Sequence, residues 1–117
     1  MKTILVADDD KPCRESIQKM LEREGYGVET AADVDSALEA LRKRRFDLVV
    51  CDYRMPVKTG LDFLIELRQR QLQVPVVMLS ADTATEASAL SLGASRFLEK
   101  PIRMHALVDS ARKAIRG

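Results

Sequence analysis

Cysteine and histidine are scarce: Cys13, Cys51 and His105 are all the chain has. Two thiols that far apart build neither a disulfide framework nor a zinc site, and they are expected to be reduced residues of a cytosolic protein. Aromatic residues make up 4% of the chain, while 46% is hydrophobic. The core is therefore expected to be Val, Leu, Ile and Ala. The formal net charge is +1, which lacks the basic excess that a general nucleic-acid surface needs. No apolar run is long enough to span a membrane. The run Ile4 to Ala7 is followed at once by Asp8, Asp9 and Asp10, which excludes a signal peptide. Internal repeats, linkers and low-complexity segments are also missing. The expectation is one soluble intracellular domain, residues 1–117, long enough to bury a core.

What is present is an alternation of short apolar runs and helical patterns. Thr3 to Ala7, Leu48 to Asp52 and Val74 to Ser80 read as strands buried on both faces. Val28 to Ala31 is a more polar strand nearer an edge, and Arg96 to Glu99 a fifth strand. Between them, Cys13, Ile17, Met20 and Leu21 recur at helical spacing after Pro12 and stop at Gly25. A second helix carries Val34, Ala37, Leu38 and Leu41, with Asp33 as its cap. Leu61, Leu64, Ile65 and Leu67 follow Thr59-Gly60, and Met104, Leu107, Val108, Ala111 and Ile115 line a last helix. Thr83 to Glu86 has the spacing of a capping box for a helix of small residues ending at Gly93. Alternating strands and helices predict an α/β protein with a parallel sheet covered on both faces.

Parallel strands place their carboxyl ends on one edge, where ligands of α/β proteins sit. That edge then carries Asp8, Asp9 and Asp10 after the first strand and Asp52 at the end of the third. Ser80 ends the fourth strand, and Lys100 follows the fifth. Several carboxylates together require a counter-charge. A hard divalent cation with oxygen ligands, Mg²⁺ or Mn²⁺ in its place, supplies it. A hydroxyl and a lysine beside such a metal suit a phosphoryl group. A carboxylate among them is then the nucleophile that takes it. Asp10 is read as the cap of the first helix. The basic run Arg42 to Arg45 sits at a helix C-terminus, where the dipole favours cations, and is read as a solvated face. His105 is read as a surface residue and Cys51 as strand packing.

Asp8-Asp9, the run ending in Asp52 with Met55-Pro56 and Gly60, Ser80-Ala81 and Lys100-Pro101 resemble the receiver domain of two-component response regulators. The resemblance spans the whole chain, with four separated motifs in order. It implies a doubly wound, flavodoxin-like (βα)5 fold with strand order 2-1-3-4-5. It implies that Asp52 accepts a phosphoryl group from a phosphohistidine of a sensor histidine kinase or histidine phosphotransfer protein. Asp9, Asp52 and the backbone carbonyl of Arg54 would hold Mg²⁺, with Asp8 acting through water or steadying the site. Ser80 and Lys100 would grip the phosphoryl oxygens, with a cis peptide at Lys100-Pro101. Ser80 and Phe97 would form the switch, Phe97 standing where many relatives carry Tyr. Arg54 and Asp82 fall at the two variable positions flanking the pocket, an opposite-charge pair that would span its entrance.

The resemblance further implies a signalling domain that catalyses only its own phosphorylation and dephosphorylation. Its output face would be helix four, strand five and helix five, through which family members commonly dimerise. It would stand alone or form the N-terminal part of a longer regulator, without contacting nucleic acid or membrane itself. Two other readings compete with it. A phosphatase using the D-x-D of Asp8-Asp9-Asp10 lacks the usual Thr or Val, having Pro12 there, and has no room for a cap domain. A pseudo-receiver binding module usually shows loss of an acceptor, acidic partner or lysine, and this chain retains all three.

Overall fold

The computed structural model describes residues 1–117. In chain order the elements are β1 (Thr3–Ala7), α1 (Lys11–Arg23), β2 (Gly27–Ala31), α2 (Val34–Lys43) and β3 (Leu48–Asp52). They continue with α3 (Gly60–Gln69), β4 (Val76–Ser80), α4 (Glu86–Ser91), β5 (Arg96–Glu99) and α5 (Met104–Arg116). All strand pairs are parallel, in the order β2-β1-β3-β4-β5. This is the doubly wound arrangement expected from the resemblance. The chain runs outward from β1 to β2 and then crosses back to β3, so the strand order reverses between β1 and β3. Ligands of open α/β sheets bind at that reversal, outside the carboxyl ends of the strands.

The apolar strands are explained by the two layers they separate. Leu5, Ala7, Val49, Cys51, Val76 and Met78 face one side, packed with Val34, Leu38, Phe63, Leu64 and Ala89 of α2, α3 and α4. Their neighbours Ile4, Val6, Leu48, Val50, Val77 and Leu79 face the other, packed with Ile17 and Leu21 of α1 and Leu107 and Ala111 of α5. A period of two with both faces covered leaves no position for a polar side chain until the strand ends. The β2 and β5 edges are only partly buried.

Local signals set most boundaries. Asp10 accepts from the Cys13 N–H at 3.2 Å and Asp33 from the Ser36 N–H at 2.7 Å, capping α1 and α2. β4 begins at Val76, two residues later than Val74, because Pro75 has no N–H for the ladder. The capping box expected at Thr83–Glu86 does not form. Asp82 instead accepts from the Ala84 N–H at 2.9 Å, and residues 83–85 make a 3-10 turn ahead of α4. The reciprocal box stands at the head of α3, between Thr59 and Asp62. Ile65 and Met104 fit the helical spacing yet lie 39% and 49% exposed, so neither is a core residue.

The cap bond holds the Asp33 carboxyl below the usual carboxylate range, chiefly through the Ser36 backbone N–H. A depressed folded pKa means the contribution is present above the ordinary carboxylate pKa and fades as pH falls through the folded value. Asp33→Ala is expected to cost about 1 kcal/mol at neutral pH. In urea melts the gap from wild type should shrink as pH falls from the ordinary carboxylate pKa through the lower folded one. An unchanged gap contradicts the cap.

Candidate functional site: a carboxylate cluster at the strand ends

The register builds the site. Ala7 pairs with Cys51, so Asp8 leaves β1 level with Asp52 at the end of β3. Three backbone bonds continue the ladders past the strands: Asp8 N–H to Ala31 O (3.0 Å), Tyr53 N–H to Leu79 O (2.8 Å) and Lys100 N–H to Ser80 O (2.8 Å). The result is that Asp8, Asp9, Asp52, Ser80 and Lys100 meet on one edge of the sheet. Carboxylate oxygens of Asp8, Asp9 and Asp52 all lie within 4.8 Å of one another. Asp8 and Asp52 are buried and Asp9 is exposed.

One cation answers this cluster inside the fold. Lys100 Nζ lies 2.8 Å from Asp52 Oδ1, and the Lys100-Pro101 peptide is cis. Burial pushes the Asp52 carboxyl up, the Lys100 ammonium pulls it back down, and Asp8 and Asp9 add to the upward push, which prevails. Burial works against the Lys100 ammonium, but Asp52, by hydrogen bond and charge, and then Asp8 raise it overall. The site is short of positive charge. Asp8 makes the point in one atom: its Oδ1 accepts the Asp10 N–H at 3.0 Å, while its Oδ2 is buried with no hydrogen-bond partner. Buried carboxylate oxygens are ordinarily satisfied, and an orphan signals an absent partner. A divalent cation with oxygen ligands fits that donor set.

The surroundings shape the cluster. Asp52 opens onto a cleft of about 550 Å³ with Asp9, Tyr53, Arg54, Met55, Thr59 and Asp82. Gly60 lets α3 start close against β3 and β4: a Cβ there would lie 2.6 Å from Met78 Sδ and 3.1 Å from the Asp52 carbonyl oxygen. The Ser80 hydroxyl is turned to the β4–α4 loop, accepting the Asp82 N–H at 3.0 Å. Phe97 is half-buried against the core on the α4 side. Arg54 and Asp82 line the same cleft, but no ion pair joins them. Asp82 is occupied instead with its own loop, capping the turn ahead of α4.

Arg14 joins the site only through the fold. Its Nη1 donates to the Asp8 carbonyl oxygen at 2.9 Å, tying α1 to the turn that carries Asp8 and Asp9. A single arginine on a helix surface carries no signal of that kind. Neither thiol is activated here. Burial and then the neighbouring Asp8 carboxylate push Cys13 up to about 12, and burial pushes Cys51 higher still.

The model of the response regulator receiver domain family matches residues 4–112. The chain belongs to that family. Response regulator MprA of Mycobacterium is 38% identical over 115 residues, covering 97% of this chain and 50% of MprA. Among solved structures, the receiver domain of NtrX from Brucella abortus superposes with a TM-score of 0.91 at 36% identity, covering 97% and 98% of the two chains. Chemotaxis protein CheY4 of Vibrio cholerae gives 0.91 at 32% identity, with the same coverage. The receiver chain spans about half the length of the curated relatives it matches.

Asp8→Asn keeps an oxygen for the Asp10 N–H and removes one charge from the cluster. In EDTA this variant is expected to be more stable than wild type by about 1–2 kcal/mol, judged by its urea midpoint. A lower midpoint contradicts like-charge repulsion at this edge.

Proposed function

We propose that this receiver domain accepts a phosphoryl group on Asp52 from a phosphohistidine of a sensor histidine kinase or histidine phosphotransfer protein. The observation that carries the reading is Asp52 itself. It is buried at the end of the central strand, 2.8 Å from Lys100, with Asp8 and Asp9 carboxylates within 4.8 Å. An Asp52 oxygen attacks phosphorus, the P–N bond to the imidazole breaks, and the histidine leaves with the electron pair and takes up a proton. Asp9, Asp52 and the Arg54 carbonyl would hold Mg²⁺ (or Mn²⁺), and Asp8 would steady the site or act through water. When bound, the metal neutralises charge on the phosphoryl oxygens. Lys100 already sits on Asp52 and needs only to shift to a phosphoryl oxygen. Ser80 must leave its Asp82 contact to reach the same group.

That movement supplies the switch. Drawing Ser80 toward the phosphoryl group pulls on the β4–α4 loop, and the half-buried Phe97 repacks beside it. Phe lacks a hydroxyl, so the switch works by packing alone. The face formed by α4, β5 and α5 is read by a partner, through homodimerisation or by an output domain of a longer chain in which residues 1–117 are the receiver unit. The domain acts in the cytoplasm, turns over only its own phosphoryl group, and does not itself bind nucleic acid or membrane.

Intact mass after incubation with Mg²⁺ and acetyl phosphate tests the reading. One added phosphoryl group is expected in wild type and none in Asp52→Asn. Absence of addition from acetyl phosphate and from a panel of phosphohistidine donors contradicts it and leaves the fold as a phosphorylation-independent binding module.

A further inference from the structure

The loop from Asp52 to α3 contains a strained turn. Val57 has φ +70°, and the Lys58 N–H donates to the Pro56 carbonyl at 2.8 Å. This i to i+2 bond around a positive φ is the rare, strained form of the γ-turn. Its centre is a β-branched residue, the side-chain type least suited to that backbone. Packing does not compensate, because Val57 is 99% exposed. Beneath the turn lies a gap of about 110 Å³, lined by Asp33, Val34, Asp35, Pro56, Val57 and Lys58. Strain of this kind persists only where the surroundings over-determine it.

The next side chain ties this turn to two helices. Lys58 Nζ lies 2.9 Å from Asp35 Oδ1 of α2 and 2.8 Å from Glu66 Oε2 of α3. Glu66 is itself held by Arg70 at 3.3 Å. The two carboxylates, Asp35 first and then Glu66, keep the ammonium protonated well above the usual lysine range. The ends of the loop are fixed independently. The Gly60 N–H bonds to Tyr53 O at 2.8 Å, and the Thr59 N–H bonds to Asp62 at 2.8 Å. Between these anchors lies Arg54, which lines the acidic cleft and whose carbonyl accepts no hydrogen bond from the chain.

We propose that Lys58 is a positioning residue for cation binding: its two-helix ion-pair clamp holds the strained Pro56–Val57–Lys58 turn and so keeps the Arg54 carbonyl at the carboxylate cluster. The inference rests on the metal-site reading above. Releasing the clamp lets the turn relax and the carbonyl drift. A purely Coulombic role for Lys58 has the opposite sign, because removing a nearby cation tightens binding of another cation.

The test is a Mg²⁺ titration followed by the fluorescence of Tyr53, which lines the cleft, on wild type, Lys58→Met, Val57→Gly and the double variant. Amide exchange of residues 54–59 in EDTA provides a metal-free readout. Lys58→Met is expected to raise the Mg²⁺ Kd about fivefold, a factor that strain of this size supports, and to speed exchange of the Lys58 amide. In the Val57→Gly background, where glycine removes the strain, the same substitution should change the Kd by less than about twofold. Lys58→Arg should restore most of the affinity. Unchanged or tighter Mg²⁺ binding in Lys58→Met, or an equal loss in both backgrounds, overturns the clamp. Failure of wild type to bind Mg²⁺ overturns the site reading beneath it, so the two failures are distinguishable.

Discussion

Three carboxylates forced together is the constraint on which this structure depends. Asp8, Asp9 and Asp52 sit within 4.8 Å of one another with Lys100 as the cation against Asp52. Left to themselves, such groups separate or protonate. They are held because each is attached to the end of a strand that cannot move. β1 and β3 are hydrogen-bonded neighbours, buried on both faces by α2 to α4 on one side and by α1 and α5 on the other. Truncating any one of the buried leucines in those layers costs about 2–5 kcal/mol, more than the repulsion at the edge. The core therefore wins, and the charge deficit stays in place.

This division of labour explains why the polar devices are all at one edge. The interiors of the buried strands β1, β3 and β4 carry no charged residue, so the polar groups begin only where those strands end. There the backbone of one strand fixes the next, as with Lys100 N–H on Ser80 O. The loops then adjust the pieces. Arg14 holds the Asp8 carbonyl, Gly60 allows α3 to start against the Asp52 carbonyl, and Asp82 holds the Ser80 hydroxyl away from the cluster. The site is fixed on its strand side by the backbone ladders and on its loop side by single side-chain hydrogen bonds.

Features governed by neighbours in the chain were legible in the sequence. The apolar strands, the Asp10 and Asp33 caps and the alternation that implies a parallel sheet all arise within a few residues. The carboxylates were legible as a set because each falls at a strand end. Features set by distant partners were not. Lys58 reads as an ordinary loop lysine until α2 and α3 bring Asp35 and Glu66 to it, and Arg14 reads as helix surface until Asp8 is placed. Spacing alone misled where two local options competed. Thr83–Glu86 has the right interval for a capping box, but Asp82 reaches the backbone first. Ile65 and Met104 keep the helical period yet stay 39% and 49% exposed. Arg54 and Asp82 share a cleft without pairing, because Asp82 is committed to its own loop.

We propose that this edge directs a phosphoryl group to Asp52 and to no other carboxylate in the cluster. Reductive trapping tests it most directly: phosphorylated chain is treated with borohydride, which converts an acyl phosphate to an alcohol, and the modified residue is located by peptide mass spectrometry. Homoserine at position 52, with Asp8 and Asp9 unmodified, is the expected result. Homoserine at position 8 or 9, or spread across the cluster, contradicts the account and shifts the nucleophile to the β1 turn.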